Sequence, residues 1–203
     1  PTTQTKDFGQ YPSVGFIPGP AEYFNPCAVY LDDENKVEYR YCDYSGVWQG
    51  FTVRDNTNGI NGPPSVAALG DGMVYVLIPV TSTYTMAPAW SKILLYEFQY
   101  NNASSIQQTQ LDYITNLTAL AHPCITLDGD YNLHCVWKRY GDIRYRRRVG
   151  GIWYNTPAFP TTPPPSKTPF IECYGNQLAV PFVDSLATDN TEVMWSTRAI
   201  PPS

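Results

Sequence analysis

Four times along the chain a proline opens a short apolar strand, and a turn and a second apolar strand follow. The copies are Pro12-Ser-Val-Gly-Phe, Pro64-Ser-Val-Ala-Ala-Leu-Gly-Asp-Gly, Pro123-Cys-Ile-Thr-Leu-Asp-Gly-Asp and Pro169-Phe-Ile-Glu-Cys-Tyr-Gly-Asn, starting 52, 59 and 46 residues apart. Such a period matches β-propeller blades, each of which buries its apolar faces by packing against the next. The predicted fold is therefore all-β: a propeller of about four four-stranded antiparallel blades.

The third unit shows the pieces most clearly. Ile125–Leu127, Leu133–Lys138, Ile143–Arg148 and Ile152–Tyr154 read as strands, with Asp128-Gly129-Asp130, Tyr140-Gly141-Asp142 and Gly150-Gly151 as turns. The first unit repeats it: Val37-Glu-Tyr-Arg-Tyr followed by Gly46-Val-Trp48 parallels Ile143-Arg-Tyr-Arg-Arg followed by Gly151-Ile-Trp153. Blades are expected over residues 10–54, 63–112, 121–159 and 168–203, with a stiff proline-rich connector at 160–169. The fourth unit runs out before an outer strand. Residues 1–9 are expected to complete it as a closing strand, from the same chain or exchanged with a neighbouring one.

Composition narrows the function classes. Charged residues make up 15%, against 16 Tyr, 8 Phe and 5 Trp, which suits strands packed on aromatic faces. A net charge of −5 argues against a nucleic-acid partner held by phosphate contacts, and no apolar run is long enough for a membrane span. Sequons stand at Asn102 and Asn116. Cys27 with Cys42, and Cys124 with Cys135, lie symmetrically about the turns Glu34-Asn35 and Gly129-Asp130. That symmetry predicts cross-strand disulfides Cys27–Cys42 and Cys124–Cys135, with Cys173 left over. Disulfides and sequons together predict an extracellular or cell-surface glycoprotein.

No nucleophile elbow, Walker loop or dinucleotide fingerprint is present, so neither a catalytic set nor a cofactor is expected. His122 and His134, the two histidines, read as structural, and no metal site is expected. Asp128, Asp130 and Asn132 resemble the start of a calcium loop but lack its remaining ligands, and read as a hairpin turn. Three features are candidates for contact with a partner or glycan. Arg144, Arg146 and Arg148 alternate onto one strand face, able to meet carboxylates or sulfates. Trp48 and Trp153 recur at equivalent blade positions, where a ring can stack on a sugar or serve the core. Trp90, in a loop outside the repeat, is the best single candidate.

The third unit, from His122-Pro-Cys-Ile-Thr-Leu-Asp-Gly-Asp through Leu133-His-Cys-Val-Trp-Lys-Arg to Gly151-Ile-Trp153, resembles the repeats of sialidase-like β-propellers. The family's Asp-box is degenerate here, and its arginine-bearing signature near the start is absent: Phe16-Ile17-Pro18 stands in its place. The resemblance implies fold rather than activity. The expected role is thus a non-catalytic binding or assembly module, partnered by like subunits or other extracellular proteins. A glycan-binding lectin is the alternative, and a degenerate sialidase-like glycoside hydrolase comes third.

Overall fold

A computed structural model describes residues 9–18, 24–57, 59–82, 89–115, 120–140, 142–155, 169–174, 177–183 and 193–199. The architecture is all-β and antiparallel, as the repeat predicts. The first sheet comprises β1 (Gln10–Pro18), β2 (Phe24–Leu31), β3 (Val37–Cys42) and β4 (Trp48–Arg54), hydrogen-bonded in that order. In the second, two short pieces, β5 (Ile60–Asn61) and β6 (Ser65–Ala68), both pair with β7 (Met73–Thr81), followed by β8 (Ser91–Gln99) and β9 (Gln107–Ile114). The third runs β10 (Leu120–Leu127), β11 (Leu133–Arg139), β12 (Asp142–Val149) and β13 (Ile152–Asn155). The fourth holds β14 (Glu172–Tyr174), β15 (Gln177–Val183) and β16 (Val193–Ala199). Most of the closing segment (residues 1–8) and of the connector (160–168) lies outside the described residues, as does Asn116. Among the described residues no helix is long and apolar enough to cross a membrane.

The sheets pack face to face, and β7 shows why its sequence is apolar at nearly every position. Val74, Val76, Ile78 and Val80 point into a core shared with the first sheet, while Tyr75 and Leu77 enter a core shared with the third. A strand covered on both faces loses the alternating pattern of a half-solvated one. Phe98 is fully buried, edge-on to Tyr39 at 5.0 Å and to Phe51 at 5.2 Å. Each such ring stabilises the packing by about 1.5–3 kcal/mol. The third sheet packs on the fourth through Val136, Ile143 and Tyr145 against Ile171, Leu178 and Val180. The gap between β5 and β6 falls at Gly62-Pro63-Pro64, opposite Pro79 on β7. Three prolines without amide donors explain why the ladder breaks there.

The disulfide expectation is corrected by the hairpins. At both, the connection has an odd number of residues. Asp32 N–H donates to Lys36 O and Asn35 N–H to Asp32 O, with Asn35 at φ 61°. Asp128, Tyr131 and Asn132 repeat the pattern, with Tyr131 at φ 63°. This is a type I turn closed by a left-handed residue. It sets Cys27 opposite Tyr41 and Cys124 opposite Val136, one position away from the predicted pairing. A one-residue offset puts side chains on opposite sheet faces, so Cys27 and Cys42 point apart, as do Cys124 and Cys135. All five cysteines are free thiols.

Candidate functional site

The proline-led segments that define the repeat come together in space. A cavity of about 310 Å³ is lined by Tyr11, Pro12 and Ser13 from the first sheet and Pro63, Pro64 and Ser65 from the second. His122, Pro123 and Cys124 of the third sheet and Pro169 and Phe170 of the fourth complete it. All four sheets thus present the proline-led segment of their repeat to one opening, which marks the centre of the array. The first strands are tied to one another there. The Val66 amide donates to Ser13 Oγ and the Ile125 amide to Ser65 Oγ, both at 3.2 Å. The Cys124 sulfur accepts in turn from the Ile171 backbone. The residue after each of the first three prolines therefore binds the backbone of the next sheet, and a cysteine replaces serine in the third copy.

Two residues at this mouth hold an unusual backbone. Tyr11 has φ 53° and His122 φ 51°, each just before a proline and at a break in pairing register. A residue preceding proline is driven toward extended conformations. A side chain held in a sparsely populated region costs on the order of 1–3 kcal/mol. Such strain persists where surrounding structure enforces it, and here it aims two side chains at the opening. Tyr11 is 58% exposed and Phe170 52%, so two rings are open to solvent at the mouth. Burial, reinforced by Lys138, lowers the pKa of His122 below the usual imidazole value, keeping the ring neutral and able to accept a hydrogen bond near pH 7. A second cleft of about 310 Å³ continues from the mouth between the second and third sheets; it shares Pro63 and His122 and adds Asn61, Pro79 and Leu120.

The residues singled out from sequence lie elsewhere. Alternation along β12 puts Arg144, Arg146 and Arg148 on one face, opposite Trp137, Cys135 and Leu133 of β11. That face looks toward the second sheet. Arg148 is locked in place, donating to Glu97 Oε1 at 2.6 Å with its guanidinium over Tyr75 and Trp153. Arg144 and Arg146 instead line a polar cleft with Asp112, Trp137, Arg139 and Asn155. Trp153 is half-buried against the core between the second and third sheets, and Trp48, opposite Cys42 on β3, is also half-buried. Trp90 closes the base of its loop, packed on the first core with the Lys92 ammonium 4.5 Å from its ring centre. Asn102 is exposed beside a 3-10 turn, Ala103–Ser105, that it caps. Tyr11, His122 and Phe170 escaped sequence reasoning. The signal was their place in the repeat: Tyr11 and His122 each stand just before the opening proline, and Phe170 just after it.

No family model matches the chain, and no curated protein does. Solved structures do. The xyloglucan PUL GH43B protein of Bacteroides ovatus superposes with a TM-score of 0.58 at 11% identity over 96% of this chain. Aleuria aurantia lectin, solved with Fucα1-6GlcNAc, gives 0.54 at 12% identity over 84%. Trypanosoma rangeli sialidase, solved with sialic acid, gives 0.54 at 9% identity over 92%. The chain is a β-propeller. It spans 39%, 54% and 35% of those three proteins, and identities this low establish the fold alone. One expectation is overturned by these likenesses. The lack of a recognisable catalytic motif led to a chain that is not an enzyme, yet this propeller shares its architecture with a GH43B protein and a sialidase. The fold gives no ground for setting catalysis aside.

Proposed function

We propose that this propeller recognises glycans and receives them at the central mouth. The observation that carries the reading is the convergence of all four repeat motifs on one opening lined by prolines, Tyr11, Phe170 and His122. A sugar ring has apolar C–H faces and polar edges. Flat aromatic and proline surfaces suit the faces, while the Tyr11 hydroxyl and the neutral His122 imidazole suit the hydroxyls. Ligand sites of this kind are concave, mostly apolar and fixed by a few polar groups. The lectin and sialidase likenesses support the same reading, which places glycan binding ahead of the assembly role expected from sequence. An extracellular setting belongs to the proposal too, supported by the exposed sequon at Asn102.

The test is calorimetric titration of the purified chain with a panel of neutral oligosaccharides. Tyr11→Ala and His122→Ala are then compared with the unsubstituted chain at matched thermal stability. The expected result is a Kd for at least one oligosaccharide that rises about tenfold or more in each variant, equivalent to about 1.4 kcal/mol. Binding that is absent across the panel, or indifferent to both substitutions, overturns the proposal.

A further inference from the structure

A second site is independent of the central mouth. Between the second and third sheets, a polar cleft of about 210 Å³ is lined by Arg144, Arg146, Arg139, Asp112, Trp137 and Asn155. Asp112 is fully engaged: one oxygen accepts from Trp137 Nε1 at 2.8 Å and the other from Arg139 at 3.2 Å. It holds the floor and neutralises Arg139. The other two guanidinium groups differ. The sole ion-pair partner of Arg144 among the described residues is Asp142 at 3.7 Å, a carboxylate that is itself 56% exposed. Arg144 Nε is buried with no hydrogen-bond partner among the described residues, while the side chain as a whole is 42% exposed. Arg146 makes no ion pair among the described residues. By contrast Arg148, next along the same face, is fully paired with Glu97.

A buried donor without an acceptor is costly, and two adjacent planar forks favour an oxyanion held by paired hydrogen bonds. The cleft is smaller than the pockets of about 300–1,000 Å³ that enclose whole small-molecule ligands. It suits one charged sugar unit at the end or branch of a chain. We infer that this cleft binds the acidic group of a carboxylated or sulfated sugar, with Arg144 and Arg146 holding the oxyanion and Asn155 beside them.

The experiment titrates the full chain with a glucuronate-terminated oligosaccharide, its neutral glucose-terminated counterpart, a sulfated sugar and sodium sulfate. Binding is read by calorimetry and by the indole N–H resonance of Trp137, which sits on Asp112 at the cleft floor. At least one acidic sugar should bind at least tenfold more tightly than the neutral sugar and than sulfate, and should shift the Trp137 resonance. The preference between glucuronate and sulfated sugar then tells the carboxylate from the sulfate source. Arg144→Gln and Arg146→Gln should each remove about tenfold, Arg144→Lys should recover part of it, and Tyr11→Ala should leave it unchanged. Failure at the central mouth therefore leaves this result standing. Equal binding of acidic and neutral sugars, sulfate binding as tightly as the acidic sugars, or a Trp137 resonance that does not move overturns the inference. An acidic peptide that binds more tightly than every sugar does so too.

Discussion

The same hairpin turn occurs in the first and third sheets with an aspartate at the same place, and the two surroundings differ in one respect. Asp32 Oδ1 accepts from the amides of Glu34 at 3.0 Å and Lys36 at 2.7 Å. Asp128 Oδ1 does the same for Asp130 at 3.0 Å and Asn132 at 2.8 Å. Asp128 Oδ2 also accepts from Asn132 Nδ2 at 3.0 Å and from His134 Nε2 at 2.9 Å, both buried. Because the carboxylate can only accept, His134 carries its proton on Nε2, and Nδ1 accepts from the Tyr145 hydroxyl at 2.7 Å. Asp32→Ala removes two bonds at a partly solvated turn, at a cost of about 1 kcal/mol. Asp128→Ala removes the same two and strands His134 and Asn132 donors where water cannot reach, for about 3–5 kcal/mol. In a domain of this size each kcal/mol lowers Tm by about 2–4 °C. The expected losses are thus about 2–4 °C for Asp32→Ala and on the order of 10 °C for Asp128→Ala, measured by scanning calorimetry at pH 7.5. Equal losses in the two variants would refute the argument, because the turn alone would then account for both.

Two further outcomes follow from the same geometry. Burial lowers the His134 pKa below its usual 6.5 despite the pull of Asp128, so the unfolded chain takes up a proton first. The stability tied to His134 is complete above pH 6.5 and declines as pH falls below it. For Asp128, burial opposes ionisation, but bonds from His134 and Asn132 win and its pKa is lowered, adding a second loss below its usual 3.8. A pH series of Tm should show the first decline, and His134→Gln should flatten it; a decline unchanged in the variant would count against this assignment. At the central mouth, Ser65→Ala leaves the Ile125 amide without its acceptor, a loss of about 1–3 kcal/mol. Ser65→Cys should retain most of it, since Cys124 serves the same role one sheet on; identical melting of the two variants is the contrary result.

The repeat made the architecture legible, because strand alternation and turn residues recur at matching places in each unit. Register was not legible to one residue. Asn35 and Tyr131 in left-handed conformation lengthen each turn to an odd number, and that single position moves Cys27 and Cys124 off their supposed partners Cys42 and Cys135. Tyr131 gave no warning, since such a conformation is rare outside Gly, Asn and Asp. The arginine row was placed on the correct strand face. What that face looks at depends on the neighbouring sheet, whose Glu97 and Asp112 come from distant parts of the chain. Trp90 stood out for lying outside the repeat; it is half-buried, with the ammonium of Lys92, two residues along, over its ring. The central mouth was hidden because its members are individually ordinary: a tyrosine, a histidine and a phenylalanine become one cavity lining when four prolines bring them to one point.

The link from one first strand to the next is polar in sense: a hydroxyl or thiol on one blade grips the main chain of its successor, never the reverse. A blade is therefore able to receive a follower if it carries Ser or Cys after its proline, as at Ser13, Ser65 and Cys124. The fourth unit has Phe170 there, a side chain with nothing to offer an incoming amide. Copying any of the first three units in tandem would preserve this relay, whereas copying the fourth would interrupt it, so the linkage between first strands has a built-in direction.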